Sequence, residues 1–162
     1  MGKPSITISL QPYLADFCRH EFKTLQDGSI VIKRQHDIGK MIFSQVNASP
    51  IPVSKPVFEN AVTFVLPITK ESDLQGKFLY VDRWGQEKIQ EFITAKFNLR
   101  VELFFQKGYN KGYSQKRIIE AFLAGYNLRN NELNYEAVKK NDYRRRQKDL
   151  KRISDELKKF DD

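Results

Sequence analysis

From Gln86 onward the apolar residues of this chain change period, and that change constrains the fold more than any other feature. Ile89, Phe92, Ile93, Phe97, Val101, Phe104 and Phe105 fall at steps of three and four. This spacing lines side chains up on one face of an α-helix, which turns once in about 3.6 residues. The run predicts one helix of about twenty residues, with Gly108 marking its end. The stretch "LRVELFF" (99–105) is the weak point, because its residues also suit a strand.

Ahead of that helix the pattern is short and mixed. "SITISL" (5–10) alternates apolar and polar residues, as a half-buried strand does. Pro12 suits the first turn of a helix carrying Leu14, Phe17, Cys18 and Phe22. Asp27-Gly28 is a turn pair, followed by a strand in "SIVIK". "HDIGKMIFSQV" puts Ile38, Met41, Ile42 and Val46 on one face of a short helix, with Gly39 as a weakness in it. "NASPIPVSKP" (47–56) reads as a loop, because three prolines leave little room for hydrogen-bonded pairing. "FENAVTFVLP" (58–67) and "FLYV" (78–81) read as two more strands.

Beyond Gly108 the chain stays helical. Ser114 can cap a helix with Ile118, Ile119, Phe122 and Leu123, stopping near Gly125. Asn131 or Asn134 can cap a last helix that runs past Lys151 to a ragged end near Phe160. The expected fold is α+β: a small mixed sheet with short helices over residues 1–83, then a helical module over 84–162. No repeat at a solenoid period is present.

That last helix contains "KKNDYRRRQKDLKR" (139–152), in which eight of fourteen residues are Lys or Arg. Only Asp142 and Asp149 oppose them, so this segment carries +6 of the chain's net +8. Such local basicity reads as a patch rather than a general solubility device. Lys and Arg neutralise phosphates and release counterions. Arg can also hold guanine O6 and N7, and Asn can pair with adenine. Tyr can bond a phosphate or stack on an exposed base. The candidate nucleic-acid-binding residues are therefore Lys139, Lys140, Asn141, Tyr143, Arg144, Arg145, Arg146 and Lys148, with Arg129 and Lys116 nearby.

The run can also be an ordinary solvated face, with Asp142–Arg146 and Asp149–Arg145 as intrahelical pairs. Further on, Leu150, Ile153, Leu157 and Phe160 fall at heptad-like steps. They can form a seam with a second copy or an assembly partner, or pack on the chain's own core. Two repeats are too few to define a coiled coil.

"SQKRIIEAFLAGY" followed by "YEAVKKNDYRRRQ" resembles the helix-turn-helix proteins of phages and mobile elements. The resemblance covers about a fifth of the chain and implies DNA binding by a dimer. It implies a wedge of Ile118, Ile119, Phe122 and Leu123, close approach at Ala121, Leu128 and Leu133 plugging the turn, and Tyr135 and Val138 facing inward. The connection departs from the pattern: about eight residues stand where three to four are usual.

The remaining chemistry is sparse. One cysteine, Cys18, excludes an internal disulfide and four-cysteine metal sites. It reads as core, in a reducing, cytoplasmic setting. The opening "MGKPSITISLQPYL" lacks the apolar stretch of a secretory leader, and no run is long enough for a membrane span. His36 reads as a cap beside Asp37, and His20 has no ligand spacing to Cys18. Asp82 reads as a helix cap, Glu87 and Glu91 as a polar face, and Trp84 as a lid on the core. "GYNKGYSQK" (108–116) reads as a turn, with a phosphate contact by Ser114, Gln115 or Lys116 as the sharper alternative. Neither a catalytic set nor a cofactor or metal is expected, so the chain reads as a non-enzymatic DNA-binding protein. The alternative is a structural or adaptor subunit of a virion or other large assembly, its basic helix packed on an acidic partner. RNA comes third, with no recognisable RNA-binding motif behind it.

Overall fold

The computed structural model describes residues 3–54, 59–68, 74, 76–129 and 131–159. It is an α+β protein with two compact units, Met1–Lys96 and Phe97–Asp162. Residue 83, where the sequence changes character, is the first residue of the long helix; the units divide further along it, after Lys96.

In the first unit, β1 (Ser5–Ser9) pairs antiparallel with β5 (Ala61–Val65). Strand β5 also pairs parallel with β3 (Ile30–Val31), which pairs antiparallel with β2 (Lys23–Thr24), so the order is β1-β5-β3-β2. The alternation read in β1 has a physical outcome: Ile6 and Ile8 are buried, while Thr7 turns out and bonds Thr63 across the ladder at 2.9 Å. Helix α1 (Pro12–Glu21) buries Leu14, Phe17 and Cys18. A second ribbon joins β4 (Asn47–Ser49) to β6 (Phe78–Tyr80). Part of the expected proline loop is thus a strand, because its first three residues precede the prolines and remain able to pair.

Helix α2 (Asp37–Ser44) is capped by His36, whose Nδ1 accepts from the Ile38 amide at 3.2 Å. Gly39 is a requirement here rather than a weakness. A Cβ at this position would lie 2.0 Å from the Lys33 carbonyl oxygen, so only glycine permits the approach.

Helix α3 (Arg83–Asn110) is longer than its apolar stripe suggests. Asp82 starts it, its Oδ1 accepting from the Gly85 amide at 2.6 Å. Ile89, Ile93, Phe97, Val101 and Phe105 are all buried at steps of four. The β-leaning "LRVELFF" is helical because this stripe passes through it, and burial outweighs local propensity. Gly108 does not end the helix. It lies inside α3, and a Cβ there would come 2.6 Å from Ile118 Cγ1; the chain turns at Gly112, with φ +81°. Trp84 is no lid, being 62% exposed, with the Lys88 ammonium 5.3 Å from its ring centroid.

The second unit is the end of α3 with α4 (Gln115–Gly125) and α5 (Glu132–Lys158). Its core joins Phe97, Val101 and Phe105 to Ile118, Ile119, Phe122, Leu123, Leu128 and Val138. Phe122 meets Phe97 and Phe104 edge-on, with centroids 5.7 and 5.4 Å away, and stacks on Tyr126 at 4.5 Å. Such pairs add about 0.5–1.5 kcal/mol each beyond simple burial.

Candidate nucleic-acid interface

Both helices of the second unit begin at side-chain caps. Ser114 Oγ accepts from the Arg117 amide at 3.3 Å, so this hydroxyl is used within the chain. Asn131 Oδ1 accepts from the Asn134 amide at 2.8 Å. The connection between them is residues 126–131, shorter than the sequence suggested. The apolar wedge of α4 is buried, as are Leu128 and Val138. Ala121 is exposed, so it is not a point of close helix approach, and Leu133, 63% exposed, plugs nothing. Tyr135 is half-buried.

Along α5 the inward face descends through Asn134, Val138 and Asp142 at steps of four. Asp142 is the structural centre of the basic run. Its side chain is 0% exposed and holds Arg145 at 3.1 Å and Arg146 at 3.2 Å. Tyr109 Oη and Gln115 Nε2 each donate to Asp142 Oδ2 at 2.8 Å. Arg146 also donates to the Tyr109 hydroxyl and places its guanidinium 4.8 Å from that ring's centroid. A buried carboxylate is tolerated only when it is paired and hydrogen-bonded, and here α3, α4 and α5 all supply partners. Burial, and then the bond to Asp142, push the Tyr109 phenol above its ordinary value of 10.0.

This cluster separates the candidate residues. Arg145 has a side chain only 19% exposed and is committed to Asp142. Arg146 shares that carboxylate but keeps 49% of its side chain exposed. Asn141 donates to Asn98 Oδ1 on α3, which occupies the amide the sequence offered to adenine. The pair Asp149–Arg145 read from the sequence is replaced by Asp142–Arg145, because Asp142 sits on the inward face and Asp149 is exposed. Lys139, Lys140, Tyr143, Arg144 and Lys148 are exposed, and so are Arg129 and Lys116 in the preceding segments. Gln115 turns to Asp142 rather than outward.

A helix advances about 100° per residue. At that pitch Lys140, Arg144, Lys148 and Lys151 share one exposed stripe, continued by Lys158 and flanked by Arg152 and Lys159. Asp155 is the acid within it. From Lys140 to Lys158 the stripe runs about 27 Å along the axis. Lys151, Arg152, Lys158 and Lys159 were not among the candidates read from sequence. Continuing the same three-and-four spacing past Lys148 finds the first two. Residues 147–159 are exposed in every direction. Leu150, Ile153 and Leu157 are 59%, 44% and 64% exposed, so this stripe does not pack on the chain's own core. Phe160 lies outside the described residues.

Cys18 is fully buried, and burial followed by the Glu21 charge pushes its thiol up to about 12, where it stays protonated. Glu87 pairs with Arg83 and Glu91 with Lys88. Among the described residues no three His, Cys, Asp or Glu side chains are grouped to hold a metal, and no helix is long and apolar enough to cross a membrane. Comparison with protein-family models, with curated proteins and with solved structures returns no match.

Proposed function

We propose that this protein binds nucleic acid, with double-stranded DNA as the ligand, and does so without catalysis. The observation that carries this reading is the exposed stripe Lys140, Arg144, Lys148 and Lys151 on α5. A straight row of cations with little acid opposite suits a phosphate backbone. Arg145 and Arg146 play mainly a structural part, so the contact falls to their neighbours. A duplex-binding measurement over a salt series tests the reading. The chain binds at low salt with a steep dependence on ionic strength. Changing Lys140, Arg144 and Lys148 together to Ala lowers the log–log salt slope by roughly three, about one for each lost phosphate contact. No binding at about 50 mM salt removes the reading. A variant set built on Arg145 and Arg146 is a poor test, because it also breaks the Asp142 cluster.

The exposed stripe Leu150, Ile153 and Leu157 favours a second reading, in which the chain is an adaptor in a larger assembly such as a virion. Self-association or partner binding that disappears when all three become Ser supports that role.

A further inference from the structure

The DNA reading leaves open how far along α5 the duplex extends and which groove the helix enters. In a helix-turn-helix protein the N-terminal turns of the second helix read the bases. Here those turns expose Glu132, Leu133 and Glu136, a surface that repels phosphates. The cationic stripe starts only at Lys140 and continues onto a segment exposed on every side. A bare α-helix with its side chains is about 10–12 Å across. The major groove of B-form DNA is about 12 Å wide and admits one. The major groove of A-form RNA is too deep and narrow for side chains to read. Single strands are held by successive aromatic stacking platforms, and between Lys140 and Lys158 Tyr143 is the one aromatic residue.

Resting on the DNA reading, we infer that B-form duplex DNA lies along the middle and distal parts of α5, from Lys140 to Lys158. The exposed segment 147–159 sits in the major groove, and the N-terminal end of the helix stays clear. In this placement the Lys140–Arg144–Lys148–Lys151–Lys158 stripe faces a phosphate wall. Asp149 and Glu156 lie on the other side of the helix, away from that wall, and Asp155 is the one acid of the stripe that faces it. The contact is then a projecting basic helix, with α3 and α4 acting as its mount.

Two variants of the full chain decide this. Lys151→Ala with Arg152→Ala and Lys158→Ala alters only exposed side chains, so the circular dichroism spectrum stays that of the parent. Its affinity for a DNA duplex falls about a hundredfold near 0.1 M salt, and the salt slope drops by roughly two to three. Arg129→Ala, just ahead of α5, leaves affinity within about twofold, as expected of a site with no phosphate contact. An RNA duplex of the same sequence binds at least about tenfold more weakly than the DNA. The placement is overturned if the triple variant binds like the parent while Arg129→Ala loses affinity, or if the two duplexes bind equally. In either case the chain still binds nucleic acid and the DNA-binding site moves or broadens. Absence of any binding by the parent overturns the DNA reading itself, and the placement with it.

Discussion

The two halves of α5 have similar composition and opposite circumstances. Residues 132–146 carry Lys139, Lys140 and three consecutive arginines, yet their inward face is closed over Asn134, Val138 and Asp142. Residues 147–159 carry five more cations and are exposed on every side. Asp142 and Asp149 make the contrast sharpest. They stand seven residues apart on one helix, each within reach of arginines. One is buried with four partners and fixes the fold; the other is exposed and fixes nothing. Charge density in a sequence therefore does not show which charges the fold uses and which it leaves exposed. The position of each charge relative to the buried stripe does.

The most direct way to break this comparison is to remove each aspartate. Asp142→Ala orphans Tyr109, Gln115 and two arginines. Severing a fully buried ion pair costs about 3–5 kcal/mol. Both arginines retain some exposure and can turn to water, so a loss of about 2–3 kcal/mol in denaturant unfolding is expected. Asp149→Ala changes stability by no more than about 0.5 kcal/mol. Equal costs would mean that the two halves do not differ in kind.

Tyr109→Phe sharpens the buried side of the comparison. It deletes one bond to Asp142 and one from Arg146 while keeping the ring, at a cost of about 1–2 kcal/mol. The same phenol gives a pH signature. Its folded-state pKa is raised above its ordinary value of 10.0, so between the two values the folded chain holds a proton that the unfolded chain has lost. This contribution is complete below about pH 10 and is lost as pH rises through the folded value. Stability measured across alkaline pH falls more steeply for the parent than for Tyr109→Phe. Parallel curves would show that the hydroxyl is not held as described.

The smallest expected effect belongs to the distal half. Leu150→Ser with Ile153→Ser and Leu157→Ser leaves the unfolding free energy within about 0.5 kcal/mol, because these side chains bury little within the chain. A larger loss, dependent on protein concentration, would show that another copy covers them.

The sequence reveals local features well. The caps at His36, Asp82, Ser114 and Asn131 are each satisfied two or three residues away, so a short window contains the whole interaction. The period of α3 is visible because five buried side chains repeat it. Strands β2 and β4 are too short to show any period, and each exists because an equally short partner, β3 or β6, offers it an edge. Trp84 and Gly108 depend on what arrives from elsewhere: no element covers the first, and Ile118 crowds the second. The role of Asp142 was the hardest to foresee. Tyr109 and Gln115 lie 33 and 27 residues from it, and nothing in the basic run marks which acid they will choose.

The continuity of α5 carries a dynamic consequence. An isolated helix the length of residues 147–158 would be marginal in water, because starting the first turn is costly. Here that start is supplied by the packed turns around Val138 and Asp142, and the distal residues only extend an existing helix. Each added turn holds on its own local free energy. Backbone amide exchange should therefore be graded along α5, slow near Val138 and steadily faster toward Lys158, like a rod clamped at one end.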